Sequence, residues 1–348
     1  MARDSGDNDN SRRTRKRPNS YDVAELAGVS QSAVSRVFQP GASASKEMRS
    51  RVLKAAKKLG YRPNAIARGL ITQRSDMVAV LISVQTNLYY PEVLVQLTKR
   101  FSERGVRVLL FALEHEGDIE STLEQVLRYR VDGVVTAAML SLPQLALIEN
   151  ADIPVVFFNR TLPDAPVNSV RCDQEEGERW LVKQLVAAGH QRFAIITGPD
   201  DSPVSTERTR GATRKLHELG VEQFEVVKGD YSYDSGRQCF NDLASADRIP
   251  DAVIAANDAM AIGCIDEARS AFNLRVPEDL SVVGFDGIGP SLFDAYALTT
   301  IRQPLARMTD AAVSMLLDRI DSPELAPEKR VFSGDRRPGR SARLGGDG

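Results

Sequence analysis

The chain has 348 residues, 42% hydrophobic and 26% charged, with three cysteines and a formal net charge of −2. This allows a small domain plus a large one, each with its own core, and excludes a membrane helix, because runs such as Val78–Val84 fall far short of the roughly eighteen apolar residues needed. Cys172, Cys239 and Cys264 are widely spaced with no C-x-x-C pair, which fits a reduced cytoplasm and argues against a disulfide or metal site.

Residues 1–18 are polar and carry Arg12-Arg13-Thr14-Arg15-Lys16-Arg17 with no apolar segment behind the charges, so a disordered basic arm is predicted rather than a secretory signal. Residues 1–70 hold 15 Lys or Arg against 6 Asp or Glu, and the remainder holds 30 against 41. A basic head on an acidic body points to a polyanion met by the head.

From Asn19 to Leu59 the pattern is helical. Ser20 or Asn19 can cap a first helix, Tyr21–Ala27, and Gly28 supplies a turn. Ser30 can cap a second, Gln31–Gln39, ended by Pro40-Gly41, and Ser45 a third, Lys46–Leu59, closed by Gly60. Three helices connected so tightly form a compact bundle. Ala24, Ala27, Val29, Val34 and Val37 can pack across the Gly28 turn, leaving Gln31, Ser32, Ser35 and Arg36 on the opposite face. Gln pairs with adenine and Arg with guanine in a major groove, while Ser30 and free backbone N–H groups suit a phosphate. A polar solvated face is the plainer alternative.

Residues 64–71 are mildly helical but too few to be stable alone. Beyond Ser75, apolar runs of strand length alternate with amphipathic helical runs. One series has strands at 78–83, 106–112, 133–138 and 155–159; a second has strands at 193–198, 224–229, 252–257 and 280–286. Two βαβα series predict two similar lobes with parallel sheets covered by helices, and a ligand cleft at the strands' carboxyl ends. Residues 322–348, rich in Pro, Arg and Gly, read as largely irregular.

The pattern D-V-A-x-L-A-G-V-S-x-x-x-V-S-R-V from Asp22, followed by V-L-x-A-x-x-x-L-G-Y-R-P-N-A-I-A-R-x-L ending at Leu70, resembles the signature of the lactose-repressor (LacI/GalR) family. Arg208-Thr209-Arg210-Gly211, Ala255-Ala256-Asn257-Asp258, Val282–Asp286 and Leu298–Pro304 extend the resemblance through the body. It implies a cytoplasmic, nucleoid-associated repressor, a homodimer placing two copies of the second helix on a pseudo-palindromic operator. Gln31, Ser32 and Arg36 match the family's base-reading positions, and Tyr21, Ser30, Ser35 and Gln39 match positions on or near the backbone. The hinge would enter the minor groove, with Leu70 as the wedge and Asn64 and Ala67 beside it. Met48 and Phe38-Gln39-Pro40 depart from the family pattern, and the basic arm lies outside it.

The expected organisation is an all-α helix-turn-helix domain plus a two-lobed, periplasmic-binding-protein-like α/β body. The arm covers 1–18, the DNA-binding domain 19–62, the hinge 63–74, the body 75–335 and an irregular tail 336–348. Within the body, lobe 1 takes about 75–172 and 305–331, and lobe 2 about 173–302. The resemblance implies a small effector, a sugar, sugar derivative or nucleoside-like molecule, gripped between the lobes by Tyr89, Tyr90, Arg160, Arg208, Tyr231, Asn257, Asp286 and Gln303. The tail has no leucine heptad, so dimers rather than tetramers are expected. A solute-binding receptor would share the body but has no use for Tyr21–Phe38. An enzyme would need a nucleophile or base pair, and His115, His190 and His217 are isolated. No cofactor is called for.

Overall fold

The computed structural model describes residues 18–38, 42–62, 74–83, 88–113, 118–162 and 165–346. Residues 1–17 of the basic arm, residues 63–73 of the hinge and the predicted DNA contacts Gln39, Asn64, Ala67 and Leu70 lie outside that set. The chain divides into two compact units, Met1–Ser75 and Asp76–Gly348.

The first unit holds α1 (Ser20–Ala27), α2 (Gln31–Phe38) and α3 (Lys46–Leu59). Asn19, rather than Ser20, caps α1: its Oδ1 accepts from the Tyr21 and Asp22 N–H groups at 2.8 and 3.1 Å, and Asp22 Oδ2 accepts from the Asn19 N–H at 2.7 Å. This reciprocal box satisfies donors that a helix start leaves open. Gly28 ends α1 at φ 61°, a left-handed turn that costs glycine little, and Ser45 caps α3. Val23, Ala24 and Ala27 of α1, Val34 and Val37 of α2, and Val52, Ala55 and Ala56 of α3 form the core. Phe38, one of the departures from the family pattern, packs edge-on to Tyr61 with ring centres 5.9 Å apart.

The second unit contains two six-stranded sheets. The first collects β1 (Met77–Ser83), β2 (Arg107–Leu113), β3 (Gly133–Thr136), β4 (Val155–Phe158), β5 (Asn168–Cys172) and β11 (Lys329–Phe332). Its order is β11-β5-β4-β3-β1-β2, parallel throughout. The second collects β6 (Phe193–Thr197), β7 (Phe224–Lys228), β8 (Ala252–Ala255), β9 (Ser281–Asp286), β10 (Thr299–Arg302) and β12 (Asp335–Arg337). Its order is β12-β10-β9-β8-β6-β7, antiparallel only at β12. Strands β3, β4, β8 and β9 are buried along their whole length, as strands covered by helices on both faces must be.

The connecting helices are α4 (Tyr90–Glu103), α5 (Ile119–Tyr129), α6 (Leu142–Glu149), α7 (Gln174–Ala187), α8 (Pro203–Glu218), α9 (Tyr233–Ser245), α10 (Asp258–Ser270) and α11 (Leu305–Asp321). The chain passes between lobes three times: after β5, after β10 and after β11. Helix α11 returns to the first sheet, where a Cβ on Gly133 would stand 2.8 Å from Leu316.

The irregular end 322–348 needs correction. It supplies β11 to one sheet and β12 to the other. Residues 338–346 have no regular structure, as expected, but they are docked into the second lobe. The Ser341 carbonyl accepts from the Val282 N–H at 2.8 Å, Ser341 Oγ accepts from the Thr299 N–H at 2.9 Å, and the Gly345 N–H donates to the Gln184 carbonyl at 2.9 Å. Ser341 is fully buried.

Candidate DNA-reading face and effector cleft

Helix α2 buries Ala33, Val34 and Val37 and turns Ser32, Ser35 and Arg36 to solvent. Ser30 caps it, its Oγ accepting from the Ala33 N–H at 3.2 Å and lying 2.9 Å from Ser32 Oγ. Gln31 Nε2 donates to Ser20 Oγ at 3.3 Å, tying the first turn of α2 to that of α1. Tyr21, beside Ser20, is 70% exposed. The fold thus brings Tyr21, Ser30, Gln31, Ser32, Ser35 and Arg36 to the outside of a rigidly capped pair of helices. Hydroxyls, an amide and a guanidinium are suited to base edges and phosphates.

In the second unit, a cavity of about 70 Å³ opens between the lobes, room for roughly five waters. Tyr89, Tyr90 and Arg160 line it from the first lobe, Arg208 and Tyr231 from the second, and Gln303 from a crossover. Asn257 and Asp286 stand behind this wall. Asn257 is fully buried: it caps α10 by accepting from the Met260 N–H and donates to the Tyr231 carbonyl at 2.9 Å, so it shapes the loop that carries Tyr231. Asp286 holds Arg208.

Arg208 is the best-anchored group. Gly211, one turn on, lets α8 lie against α7, since a Cβ there would stand 2.9 Å from the Glu175 Cα. The guanidinium lies 3.9 Å over the Phe285 ring, donates from Nε to Gln174 Oε1 at 2.8 Å and from Nη2 to Asp286 Oδ1 at 2.7 Å, and reaches the Ala256 carbonyl through Nη1. Burial, the largest single influence, would lower its pKa, but Asp286, Tyr231 and Glu178 together outweigh it and the value stands above the ordinary one. Three of its five donors are held by protein, leaving two for a ligand.

Asp286 begins a chain of bonds that crosses between lobes. It accepts from Gln303 Nε2 at 2.8 Å; Gln303 Oε1 accepts from Asn159 Nδ2 at 2.7 Å; Asn159 Oδ1 accepts from the Cys172 N–H at 3.0 Å. Each amide has one possible orientation, because a carboxylate only accepts and a backbone N–H only donates. Asn159, Tyr231 and Asp286 all have positive φ, 51°, 72° and 113°. Such backbone strain, about 1–3 kcal/mol each, gathers where a site is held in shape by its surroundings.

The aromatic members are packed rather than free. Tyr89 and Tyr90 meet edge to face at 5.8 Å. Tyr231 Oη lies 3.0 Å from Ser202 Oγ, and burial pushes the phenol up. Beneath Arg208, Glu178 is buried with neither carboxylate oxygen hydrogen-bonded, and burial pushes it up to about 8, against the pull of Arg208. Asn159, Gln174, Ser202 and Glu178 were not foreseen from sequence. Asn159 closes an apolar strand and Gln174 opens a helix, positions where such residues usually only cap. Among the described residues no group of His, Cys, Asp or Glu could hold a metal ion, and no helix is long and apolar enough to cross a membrane.

Residues 21–64 match the family model for bacterial regulatory proteins of the lacI family, and residues 182–341 match a periplasmic binding protein-like domain. The chain is 34% identical over 332 residues to the HTH-type transcriptional regulator CelR of Thermobifida fusca, covering 91% of this chain and 96% of that one. It is 31% identical to the ribose operon repressor of Escherichia coli (strain K12), covering 88% and 94%. Among solved structures it is similar to the lac repressor dimer bound to operator and the anti-inducer ONPF (TM-score 0.85, 28% identity, 94% and 99% covered). It is also similar to a CelR–cellobiose complex (TM-score 0.71, 31% identity, 93% and 100% covered).

Proposed function

The chain belongs to the lacI family of bacterial regulatory proteins, and on that footing we propose that it is a cytoplasmic transcriptional repressor, a homodimer whose hold on a pseudo-palindromic operator is governed by a small sugar-like effector. The relatives are transcriptional regulators, not enzymes.

The observation that carries the reading is the exposed polar face of α2, held by the Asn19–Asp22 box and the Ser30 cap while its other face is buried. Arg36, Gln31 and Ser32 read base edges; Tyr21, Ser30 and Ser35 hold the backbone. Two copies related by a twofold axis place this helix in successive major grooves. The effector binds where Arg208, Tyr231 and Gln303 meet Tyr89, Tyr90 and Arg160. Its hydroxyls take the two remaining Arg208 donors, and closure on it acts through Gln303 and Asn159, whose bonds tie one lobe to the other. An effector that favours one arrangement of the lobes by about 1–3 kcal/mol changes operator affinity about 5- to 150-fold.

Selection from a pool of random duplexes tests the first half: a single pseudo-palindrome should emerge, and equal preference for every duplex would overturn the reading. A thermal-shift screen of sugars, polyols and nucleosides, repeated with the selected operator present, tests the second. At least one ligand should raise the melting temperature and change operator affinity; ligands that do neither would remove the effector.

A further inference from the structure

A second, smaller cavity of about 10 Å³ adjoins the effector cleft, sharing Asn159, Arg160, Pro203 and Val204 with it and adding Thr161, Cys172, Gln174 and the paired Arg171 and Glu207 to its wall. Arg160 Nε, Thr161 Oγ1 and Gln174 Nε2 are all buried and none has a hydrogen-bond partner. Two of the three, Arg160 Nε and Gln174 Nε2, can only donate. Arginine cannot accept, and Gln174, 2% exposed, has its oxygen turned to Arg208 Nε, so its NH₂ faces elsewhere.

Arg160 uses Nη1 on the Asn159 carbonyl at 2.9 Å, and no carboxylate among the described residues pairs with it. The nearby acids are committed. Glu207 pairs with Arg171 at 2.8 Å, Glu175 with Arg210, and Glu176 with Arg336 at 3.2 Å, while Asp173 caps α7 by accepting from the Glu176 N–H at 3.0 Å. Helices α7 and α8, of 14 and 16 residues, both begin on this wall, at Gln174 and Pro203, so their positive ends face it as well. Among the described residues, donors without acceptors, a cation without a counter-charge and two helix starts together select an acceptor-only, negatively charged group.

We propose that this cavity is an anion subsite of the effector cleft, and that the effector is a sugar acid whose carboxylate enters between Arg160, Thr161 and Gln174. The volume has room for roughly one water-sized atom, which fits a carboxylate oxygen better than a phosphoryl group. The inference rests on the reading of the cleft as an effector site, and its test separates the two.

Isothermal titration at matched ionic strength would compare D-gluconate, D-galactonate, D-glucuronate and D-galacturonate with D-glucose, D-galactose and their 6-phosphates, on the full-length wild type, Arg160→Gln and Thr161→Val. One acid should bind about tenfold or more tighter than its neutral parent and its phosphate. Arg160→Gln should bring that ratio close to one, and Thr161→Val, whose residue lies outside the main cleft, should reduce it several-fold with neutral-sugar affinity unchanged. Thr161→Val carries the test if Arg160→Gln does not fold. Neutral sugars or phosphates binding as tightly as the acids, or a ratio untouched by these variants, would overturn the subsite and leave the cleft standing. If none of the compounds binds, the sugar-acid subsite falls, and the cleft stands or falls on the wider thermal-shift screen.

Discussion

The reading face of α2 and the cleft between the lobes are built on opposite terms. Ser32, Ser35 and Arg36 stand in solvent, and the helix beneath them is fixed by caps and by a small apolar core. In the cleft, Arg208 and Asp286 are almost wholly buried and joined to each other, to Gln174, Gln303 and, through Gln303, to Asn159. Side chains of that face make at most short local bonds, such as Ser32 to Ser30, so recognition there can change with little disturbance of the fold. A side chain that must report one ligand to a distant element is welded into the core, so recognition and stability cannot be separated.

The sharpest way to break that contrast is Arg208→Ala. It leaves Asp286 buried without its cation, so chemical denaturation should show a loss of about 3–5 kcal/mol along with complete loss of effector binding. The paired change Arg208→Met with Asp286→Leu should restore much of the stability and none of the binding. Stability unaffected by Arg208→Ala would mean the cleft is no more committed than the reading face. Next in size, Arg36→Ala should cost about 1–3 kcal/mol of operator affinity, read by fluorescence anisotropy, while the melting temperature stays at the wild-type value. A melting change as large as that in the cleft would erase the distinction.

Glu178 sharpens the comparison through pH. Its folded value is about 8 against an ordinary 4.5, so between these the folded state holds a proton that the unfolded state has released. Stability therefore falls as pH rises from about 4.5 to about 8. Asp258, pushed up to about 7 by its own burial, adds to the decline. Glu178→Gln should flatten this slope and melt a few degrees higher, relative to wild type, at pH 8 than at pH 5. A gap independent of pH would show that Glu178 is ionised throughout. The smallest effect belongs to the head: Asn19→Ala should lower the stability of the first unit by about 1 kcal/mol, visible as earlier loss of helical signal, with effector affinity unchanged.

What the sequence disclosed follows the physics of each element. The caps at Ser30 and Ser45 and the turn at Gly28 are local devices, legible from neighbours in the chain. The buried runs Val78–Ser83 and Val155–Phe158 are legible because strands covered on both faces must be apolar throughout. Strands β5, β10, β11 and β12, with sequences NSVRC, TTIR, KRVF and DRR, carry too little apolar pattern to announce themselves. They form because partners brought from far along the chain offer them a ladder, as Glu328 does for Ser169. The cleft shows the same division. Arg208 and Gln303 were legible through the family's motifs and Tyr231 through its place after a strand, whereas Gln174 and Glu178 matter only because α8 packs on α7 at Gly211. Asn257, equally prominent in a motif, proves to be a cap set behind the wall.

The three passages between lobes carry a consequence for the order in which the protein comes into being. The first sheet lacks its edge strand until Lys329–Phe332 exists, and the second lacks its own until Asp335–Arg337, with Ser341 then docking on Val282 and Thr299. Chains emerge from the ribosome N-terminal end first. The helical head is therefore complete while most of the body is still unmade, and a polypeptide can carry its DNA-reading surface well before it has finished the receptor meant to restrain it. A chain cut before residue 329 would carry that head on a body whose first sheet lacks β11 and whose second lacks β12.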